Sequence, residues 1–564
     1  MEDNKLYVGI DLGTTFSSIS YWDGNTKEPK MIKFNEDDSI PSWISFGQCE
    51  IGGTIVGREA KNEIHSEYVC YDSKRIIGKQ MSQIEFDDMN NWPFMIEPYE
   101  EGNEESDATI GIIDPRVLYK QEYFYPEEIS ALILRYLLNK LQEQVNKKIE
   151  SVCITVPTIF NDQQKFATLR AAELAGFEHV QLLNEPTASI LEYQRIYHYS
   201  LKKNDKILVV DFGGGTVDIS CCQIIDEERI QVVANGGDEH LGGNEFDKVM
   251  MNIIKEKLQE ENLIDEEFFE ITFDNKAIPY EENQKRRNIN KLRKEAERIK
   301  IELSKNLSST FEIMEFIENE EYQGEEMSIS REEFEERCKE EGLYERFTKE
   351  LKRVTTKAGF TKRNTNLILL IGGTCQIPSV QQEIFNLFDQ QKVGKKEFDG
   401  MISVCKGACY KAYTERIGRK IIQETIPQPI GFELSGGRFD ILIKDGEKIP
   451  TKVKRTYCTS YDNETEAIFS IYSGFSKFTN DISMIMIDRL KITGIPPKPK
   501  GEIKFNVIME INESGMIKIN ASYNSNGELS ESKELETFME LTKPNDFLQQ
   551  LDNHLSNTNG GYWI

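Results

Sequence analysis

Three short apolar runs, each followed by a glycine turn, are the clearest pattern along the chain. Residues 6–10, 207–210 and 367–370 are rich in Leu, Ile and Val, and a turn containing Gly and Thr follows each of them. Short apolar runs that end at glycine are typical of buried strands entering tight turns. The pattern therefore predicts three core strands whose ends present Gly, Thr and, in two cases, Asp.

Helical periodicity fills much of the chain between these runs. Apolar positions recur three and four residues apart over 127–149, and strong helix formers occupy 292–303. Strand and helix patterns alternate in this way up to about residue 420. Such alternation predicts an α/β domain.

The pattern changes near Pro427-Gln428-Pro429. Beyond this point the chain has short runs, several of them alternating apolar and polar residues, separated by turn residues such as Asp445-Gly446. The runs are 438–443, 451–458, 467–472, 503–511 and 516–521. This spacing predicts a small antiparallel β-sandwich. After residue 530 only one modest helical pattern follows, at 535–541.

Composition restricts the choice of partner and compartment. The 564 residues carry a formal net charge of −28, whereas nucleic acid and anionic membranes favour basic surfaces. The sequence shows neither a run long enough to span a membrane nor the apolar core of a signal peptide. The 10 cysteines lack the spacing of a zinc site. We therefore expect no nucleic-acid or membrane partner, reduced thiols and a cytoplasmic protein.

The glycine turns predict an anion site. Without a Cβ, glycine lets successive backbone N–H groups form a concavity that suits phosphate. Asp11 and Asp211 follow the first two runs and would hold a hydrated cation beside that anion. The turns match neither a P-loop nor a Rossmann fingerprint. One such turn alone is more often a hairpin, but three of similar composition favour nucleotide binding.

An ordered set of motifs resembles the 70-kilodalton heat-shock chaperones. The set includes Gly9-Ile10-Asp11-Leu12-Gly13-Thr14-Thr15, Lys74-Arg75-Ile76-Ile77-Gly78, Asn184-Glu185-Pro186-Thr187-Ala188, Asp211-Phe212-Gly213-Gly214-Gly215-Thr216-Val217-Asp218 and Tyr461-Asp462-Asn463. The resemblance covers residues 1 to about 525. It implies an α/β, actin-like, two-lobed ATPase domain over 1–419, an interdomain linker at 420–428 and a β-sandwich peptide-binding domain over 429–530. Residues 531–564 would form a short tail, a vestige of the helical lid.

The resemblance also implies a site for ATP or ADP with Mg²⁺. Catalytic roles would fall on Asp11, Lys74, Glu185, Asp211, Thr216 and Asp218, with Asp11 and Asp211 reaching Mg²⁺ through water. The nucleotide would contact Gly13, Thr14, Thr15, Phe16, Gly213, Gly214, Gly215, Gly243, Glu297, Lys300, Ser304, Gly372, Gly373, Thr374 and Gln376. Simpler interpretations stay open: Lys74 as a solvated lysine, Glu185 as a helix cap before Pro186, and Glu297 with Lys300 as a surface ion pair.

A peptide groove in the sandwich is implied in the same way. Its wall would include Phe432, Leu434, Ser435, Tyr457, Ala467 and Phe469. Alternation along the strands is equally compatible with these aromatic residues being plain core. Because Ser435 and Ala467 are small where the family tends to have larger apolar groups, we expect a wider or more polar pocket.

Several positions depart from the family pattern. Lys165 stands in place of an Arg used between domains, Gln376 in place of another Arg, and Asp399-Gly400-Met401 in place of Asn-Pro-Asp. Residues 265–287 resemble an insertion. The linker is reduced to Lys420-Ile421-Ile422-Gln423-Glu424, in which Gln423 and Glu424 would resist burial. We therefore expect weaker coupling between the domains than is usual in the family.

The function implied is that of an ATP-dependent molecular chaperone. It would bind exposed apolar segments of unfolded proteins, and slow ATP hydrolysis would control that binding. J-domain co-chaperones and nucleotide-exchange factors would be its further partners. The alternative is a regulatory partner or nucleotide-exchange factor that binds ATP with little coupled hydrolysis. The intact Asp11, Lys74, Glu185 and Asp211 favour the chaperone, whereas the reduced linker and lid favour the alternative.

Overall fold

The structure is a computed structural model. It describes residues 5–46, 54–62, 69–79, 81–84, 89, 92, 94–99, 114–119, 122–197, 201–226, 230–269, 280–317, 319–395, 398–418, 422–426, 428–481, 484–513, 515–524 and 533–536. These residues form two α/β lobes followed by two antiparallel sheets, which is the fold class expected from the sequence. Among them, no helix combines the length and apolarity that crossing a membrane requires.

The first lobe is built on a mixed sheet with the strand order β12-β11-β1-β2-β3, and β4 pairs with β2. Its strands are β1 Lys5–Leu12, β2 Phe16–Asp23, β3 Glu28–Met31, β4 Ile40–Pro41, β5 Ile44–Ser45, β6 Ile55–Val56, β7 Val69–Cys70, β8 Met95–Tyr99, β9 Asp114–Tyr119, β10 Glu122–Phe124, β11 Lys148–Val156 and β12 Val180–Asn184. Its helices are α1 Arg58–Lys61, α2 Ser73–Ile76, α3 Pro126–Val145, α4 Asp162–Leu174 and α5 Glu185–Ile196.

The second lobe repeats this plan with the strand order β18-β13-β14-β15-β19. Its strands are β13 Lys206–Phe212, β14 Val217–Ile224, β15 Ile230–Asp238, β16 Ser308–Glu312, β17 Glu326–Ser330 and β18 Leu367–Ile371. Its helices are α6 Gly243–Glu260, α7 Tyr280–Leu303, α8 Arg331–Glu340, α9 Leu343–Lys357, α10 Pro378–Leu387 and α11 Ser403–Arg416. The last strand of the sheet, β19 Ile422–Gln423, comes from the predicted linker.

The three predicted core strands are confirmed as β1, β13 and β18. β1 is the central strand of its sheet, β13 is adjacent to the central strand of the other sheet, and β18 is an edge strand that pairs with β13. Most of their apolar side chains are almost fully buried. A parallel or mixed sheet covered on both faces favours continuous apolar runs of this kind. The glycine turns therefore lie at the ends of well-anchored strands.

Two predicted helices have different bounds. The helix expected over 127–149 ends at Val145, because Asn146 leaves the helical region (φ −37°, ψ 68°) and the following strand β11 pairs with β1 from Lys148 to Thr155. The helix expected from 292 begins earlier, at Tyr280. Its first turns bury polar residues, including Arg286, Asn288 and Asn290, so apolar periodicity does not mark them. Within the predicted insertion 265–287, residues 270–279 lie outside the described part of the chain.

Helices α5 and α11 join the two lobes. An added Cβ on Gly9 of β1 would lie 2.1 Å from the backbone nitrogen of Cys409, and one on Gly407 would lie 1.8 Å from the carbonyl oxygen of Ala188. Glycine at these two positions lets α11 pack directly on β1 and on α5. A core shared by these helices and the strands of both sheets follows from this close approach.

The sandwich has the sheet orders β21-β20-β23-β24 and β22-β25-β26-β27. Its strands are β20 Ile430–Leu434, β21 Arg438–Ile443, β22 Thr451–Cys458, β23 Glu466–Ser473, β24 Ile485–Thr493, β25 Lys504–Ile511, β26 Ile517–Asn524 and β27 Lys533–Glu536. The five predicted runs correspond to β21, β22, β23, β25 and β26. Strands β20 and β24 were not predicted.

Strand β27 corrects the interpretation of the chain after residue 530. The helical pattern at 535–541 begins inside this strand, which pairs antiparallel with β26. Backbone hydrogen bonds to a sheet edge therefore override the local helical pattern. The sheet reaches Glu536, beyond the boundary expected at 530, and residues 537–564 lie outside the described part of the chain.

The sandwich docks on the two α/β lobes. The linker strand β19 lies parallel to β15, with Ile422 opposite Ile230. The side-chain amide of Gln163 donates to the carbonyl oxygen of Ile487 at 2.9 Å. Lys357 forms an ion pair with Asp445 at 2.6 Å and lies 5.6 Å from the ring centroid of Phe475. The two domains therefore contact each other through the linker, an amide and an ion pair.

Candidate nucleotide site

A polar cavity lies where the three glycine turns meet. It has a volume of about 140 Å³. Predicted site residues line much of it: Asp11, Gly13, Thr14, Thr15, Phe16, Lys74, Glu185, Asp211, Gly213, Gly214, Gly215, Thr216, Gly372 and Gly373. Lining residues that were not predicted to bind are Ser18, Ser39, Ile371, Gly400, Met401, Ile402 and Val404. The fold thus brings three distant sequence segments into one site.

The first two turns face each other directly. A Cβ on Gly214 would lie 1.8 Å from Oγ1 of Thr15, and a Cβ on Gly215 would lie 2.6 Å from Oγ1 of Thr14. The hydroxyl of Thr15 is buried without a hydrogen-bond partner. A buried hydroxyl in this position suits a polar ligand, because an unsatisfied buried group costs about 1–3 kcal/mol. The turns therefore form two opposed polar walls of one cavity.

A buried ion pair lies in this cavity. The ammonium of Lys74 donates to Oε1 of Glu185 at 2.6 Å, and the side chain of Lys74 is 8% exposed. Lys74 is thus not a solvated surface lysine. Helix α5 has Asn184 as its N-cap, so Glu185 is the first helical residue and Pro186 the second. The prediction that Glu185 is the cap and Pro186 the first helical residue is therefore wrong by one position, because Asn184 is the cap.

Three aspartates share the cavity region with Glu185. Burial first, and then the charge of Glu185, raise the pKa of Asp11 to about 7. The same two causes raise the pKa of Asp218 to about 7. Burial, Glu185 and the other two aspartates raise the pKa of Asp211 well above its usual range. Among the described residues, Lys74 is the cation that acts on all three aspartates, so the region carries an excess of carboxylates.

Asp218 lies beside the cavity and is held by two donors. Its Oδ1 accepts from the backbone N–H of Thr158 at 2.6 Å, and its Oδ2 accepts from the hydroxyl of Thr216 at 3.1 Å. The hydroxyl of Thr155 similarly donates to Asp11 at 3.2 Å. These contacts fix the orientation of both carboxylates.

The predicted adenosine residues lie on the cleft face of α7. Glu297 forms an ion pair with Lys61 of the other lobe at 2.5 Å, and Lys300 donates to the carbonyl oxygen of Gly243 at 3.0 Å. Burial raises the pKa of Glu297, but Lys61 and Lys300 outweigh it and hold this pKa below the usual value. A plain surface ion pair between Glu297 and Lys300 is thus the wrong description. Ser304 directly follows the last residue of α7 and is partly buried.

Thr374 and Gln376 belong to the third glycine turn. The hydroxyl of Thr374 donates to the carbonyl oxygen of Gly213 at 2.8 Å, which joins the third turn to the second. Gln376 is exposed.

A network across the cleft was missed by sequence reasoning. The carboxylate of Asp72 accepts from Arg293 at 2.8 Å and from the amide of Asn244 at 3.2 Å. Arg75 contacts Glu245 at 2.7 Å and the carbonyl oxygen of Gly215 at 3.2 Å. Asp72 also adopts a left-handed backbone (φ 59°), which is uncommon outside glycine. The partners are far apart in sequence, so no local signal could have identified them.

The candidate groove residues fall into two groups. The rings of Phe432, Tyr457 and Phe469 lie 5.6–5.7 Å apart, centroid to centroid, and Phe432 is fully buried. Ala467 is 8% exposed and belongs to the same core, and the wider or more polar pocket expected there stays a prediction. Leu434 is partly buried and Ser435 is exposed. The hydroxyl of Tyr457 donates to Asp440 at 2.8 Å, and Arg455 contacts the same carboxylate at 2.7 Å.

Glu424 of the linker is partly buried, contrary to expectation. Its Oε1 accepts from the hydroxyl of Thr187 at 2.8 Å, and its Oε2 has no access to solvent and no hydrogen-bond partner. Burial raises the pKa of this carboxyl, while donors at Thr187 and Asn184 and the charges of Lys165 and Lys411 lower it. Thr187 belongs to α5, the helix that begins with Glu185. The linker thus contacts the element that carries a cavity residue.

These features together define a class of protein. Two similar α/β lobes meet at a cavity of glycine turns, carboxylates and one buried lysine, and a β-sandwich docks on them through a strand-forming linker. This is the architecture of an ATPase whose nucleotide-binding lobes are coupled to a second domain.

Comparison with known proteins gives the family. A family model described as "Hsp70 protein" matches residues 7–547, and the chain belongs to the Hsp70 family. It is 30% identical to chaperone protein DnaK of Thermus thermophilus over 529 residues, 92% of this chain and 79% of the relative. It is 30% identical to chaperone protein dnaK of Cyanidioschyzon merolae over 527 residues, 92% of this chain and 80% of the relative.

A eukaryotic relative gives the same result. The chain is 28% identical to heat shock cognate 70 kDa protein 3 of Dictyostelium discoideum over 523 residues, 91% of this chain and 78% of the relative. The protein is therefore an ATP-dependent molecular chaperone with ATPase activity, and it binds ATP and ADP. None of these matches favours the alternative of a regulatory partner.

Proposed function

We propose that the cavity between the glycine turns is the place where this chaperone binds and hydrolyses ATP. The observation that carries this proposal is the buried pair of Lys74 and Glu185, which faces two opposed glycine turns inside one cavity. A buried ammonium beside a concave backbone surface suits a transferring phosphoryl group, because catalysis of phosphoryl transfer rests on positioning and charge stabilisation.

Each charged residue then has a role. Lys74 stabilises negative charge on the terminal phosphate. Glu185, Thr216 and Asp218 hold and orient the attacking water, and the contacts from Thr158 and Thr216 fix the Asp218 carboxylate for this task. The glycine turns and the hydroxyls of Thr14 and Thr15 bind phosphate oxygens. Enclosure between the lobes excludes bulk water and strengthens these electrostatic contacts.

The excess of carboxylates supports Mg²⁺ as the companion of ATP. Asp11, Asp211, Asp218 and Glu185 cluster around one ammonium, and the pKa values of all three aspartates are raised in consequence. Oxygen ligands suit Mg²⁺, which usually keeps several of its waters. Asp11 and Asp211 would hold it through water, and it would supply charge neutralisation on the phosphates. This assignment rests on the donor set alone.

ATP binding is expected to depend on Mg²⁺ and on Asp211. Calorimetry should show binding of ATP with Mg²⁺ and much weaker binding with EDTA. Mg²⁺ should increase the affinity for ATP, and Asp211→Asn should reduce this increase by about tenfold or more, because removal of a charge contact costs about 1.5–3 kcal/mol. Asp205→Asn, in the turn just before β13, is the matched control and should behave like the wild type. An absence of ATP binding with Mg²⁺ would overturn the assignment of the cavity.

We propose further that the sandwich binds extended apolar peptide segments of unfolded proteins, with its groove near Leu434, Ser435 and the rings of Phe432, Tyr457 and Phe469. Several large apolar side chains of the sandwich are solvent-exposed, among them Ile441 at 40%, Phe475 at 58% and Phe478 at 52%. Exposed apolar groups of this size are typical of interaction surfaces.

J-domain co-chaperones and nucleotide-exchange factors would act on the ATPase cycle. The protein would work in the cytosol, which suits the free thiols at the nine described cysteines.

Peptide binding is expected to be weak and fast. We expect a Kd of about 1 μM or weaker, corresponding to about −8.2 kcal/mol, when fluorescence anisotropy follows a labelled apolar peptide. Ala467→Trp would overpack the sandwich core at a cost of about 1–3 kcal/mol. Ser435→Trp, at an exposed position, is therefore the better substitution for blocking the groove. It should weaken peptide binding at least tenfold. Ser328→Trp, at an exposed position on β17, is the control. Slow release of the peptide by the wild type would contradict weak and fast binding. Unchanged peptide binding by Ser435→Trp would contradict the position of the groove.

A further inference from the structure

A second cavity lies in the first lobe, away from the glycine turns. Its volume of about 560 Å³ is within the range of about 300–1,000 Å³ usual for small-molecule sites. The end of α3, the start of β11 and the turn after α4 form its walls. Among the described residues, it shares no lining residue with the nucleotide cavity. Strand β11 separates the two cavities, since Ile149 lines the second one and Thr155, about 20 Å further along the strand, contacts Asp11.

The walls of this cavity are held by hydrogen bonds. In the turn after α4, the backbone N–H groups of Gly176 and Phe177 donate to carbonyl oxygens in the last turn of α4, at 2.9 and 3.0 Å. Gly176 adopts a left-handed backbone (φ 91°), which favours glycine. The guanidinium of Arg135 on α3 donates to the carbonyl oxygen of Ala175 at 3.2 Å, so it ties α3 to this turn. The cavity is therefore formed before any ligand binds, and little free energy is lost in ordering it.

The cavity is basic, although the chain as a whole is acidic. Arg135, Lys147 and Lys148 line it, and Glu178 is the carboxylate among the described lining residues. The whole chain, by contrast, carries a formal net charge of −28. A local excess of positive charge on such a chain indicates an anionic ligand.

The nearby carboxylates do not pair with the two lysines of this cavity. Glu143 forms an ion pair with Lys140 at 2.8 Å, and Glu150 forms one with Lys5 at 2.6 Å. Both lysines of the cavity are exposed, and within the described part of the chain neither forms an ion pair. Their ammonium groups can therefore contact an anion in the cavity.

Amide side chains form a second part of the lining. Asn139, Gln142 and Asn146 all line the cavity and follow one another at spacings of three and four along α3 and its C-cap. An amide both donates and accepts hydrogen bonds, as a hydroxyl group does. Leu138 and Phe177 lie in the same lining and are 7% and 5% exposed. The cavity thus combines cations, amides and an apolar floor.

We propose that this cavity binds a small phosphorylated polyol, of which a sugar phosphate is the simplest example. Lys147 and Lys148 hold the phosphate by charge-assisted hydrogen bonds, and Arg135 adds a third positive charge. The three amides hydrogen-bond the hydroxyl groups, and the apolar floor packs against C–H groups of the ligand. The site is independent of the nucleotide cavity.

The head group of a phosphoinositide lipid has the same chemistry as a sugar phosphate. A chain with a net charge of −28 is repelled by an anionic membrane surface. The expected occupant is therefore a free, water-soluble molecule.

Calorimetry with defined probes tests the proposal. The full-length chain is first saturated with ADP and Mg²⁺, and it is then titrated with glucose 6-phosphate, glucose or inorganic phosphate. We expect glucose 6-phosphate to bind with a Kd of about 1 mM or tighter. Glucose and inorganic phosphate should each bind at least about tenfold more weakly, because each lacks one set of contacts. Vesicles that contain phosphatidylinositol 4-phosphate should not retain the protein.

Two variants locate the site. Lys147→Ala combined with Lys148→Ala should weaken the binding of glucose 6-phosphate at least about tenfold, because both charge contacts are lost. Asn139→Leu keeps the size of the side chain and should weaken glucose 6-phosphate by about fivefold without changing the affinity for inorganic phosphate. The matched control is Lys202→Ala combined with Lys203→Ala, another exposed pair of adjacent lysines, and it should behave like the wild type. An unchanged affinity for ADP shows that each variant is folded.

Three results would overturn the proposal. If glucose 6-phosphate fails to bind, or binds no more tightly than inorganic phosphate, the cavity does not recognise a polyol. If its affinity is unaffected by the double lysine substitution, the site lies elsewhere. Retention of the protein on the vesicles without binding of glucose 6-phosphate would assign the cavity to a lipid head group instead of a free ligand.

Discussion

Lys74→Ala is expected to slow ATP hydrolysis by about two to three orders of magnitude while ATP stays bound. The ammonium of Lys74 is buried in the cavity, where a fixed charge acts mainly on the negative charge that develops in the transition state. Single-turnover hydrolysis of pre-bound ATP measures the rate, and calorimetry measures the affinity. Comparable losses of rate and affinity would mean that Lys74 acts in ground-state binding instead.

Stability has to be controlled in this experiment. Removing one partner of a buried ion pair costs about 3–5 kcal/mol, so Lys74→Ala leaves Glu185 uncompensated. Thermal unfolding should be recorded for Lys74→Ala and for the double variant Lys74→Ala with Glu185→Gln. Lys79→Ala is the matched control, because Lys79 is also buried, at 7% exposure, and pairs with Glu239 outside the cavity. It should hydrolyse ATP close to the wild-type rate.

Docking of the linker is expected to weaken as pH rises. Burial raises the pKa of Glu424 above its ordinary value of 4.5 when the linker is docked. The docked state therefore favours the neutral acid and takes up a proton. The Glu424 carboxyl stabilises docking fully when the pH is below its ordinary pKa. This stabilisation is lost as the pH rises through the higher pKa of the docked carboxyl. Lys165 on α4, Lys411 on α11, Cys222 on β14 and the donors Thr187 and Asn184 face the carboxyl.

Hydrogen exchange at the backbone amides of β19 measures docking independently of catalysis. Glu424→Gln keeps the shape but cannot titrate, so its exchange should lose the extra pH dependence shown by the wild type. Glu424→Lys would bury a cation near Lys165 and Lys411 and should speed exchange at least tenfold, with loss of peptide-stimulated hydrolysis. Glu433→Gln, an exposed position on β20, is the control. Identical pH profiles for the wild type and Glu424→Gln would contradict a titrating linker carboxyl.

The strength of coupling between the domains stays a prediction. The sequence indicated weak coupling because the linker carries Gln423 and Glu424. The linker nevertheless adds a strand to the second lobe and buries Oε2 of Glu424. Burial of a carboxyl oxygen without a hydrogen bond is costly, so a docked linker and weak coupling are compatible. Stimulation of ATP turnover by saturating peptide measures the coupling, and strong stimulation at neutral pH would contradict the prediction.

The sequence by itself determined the three core strands, the glycine turns that follow them and the family. Strands β1, β13 and β18 were predictable because their apolar runs are local and end at glycine. The spacing of motifs along the chain identified the two lobes, the sandwich and most of the residues that line the cavity. These signals lie within a few residues of each other, which is the range over which hydrophobic periodicity and turn chemistry act.

Only the tertiary structure decided which charges meet. Lys74 and Glu185 are 111 residues apart, and Thr187 and Glu424 are 237 apart, so their pairing follows from packing rather than from any local pattern. The same is true of Asp72 with Arg293 and of the burial of Phe432 and Ala467 in one core. Strand β27 likewise depends on the free edge of β26. Burial and pKa are properties of the assembled surroundings, and the sequence order of residues does not contain them directly.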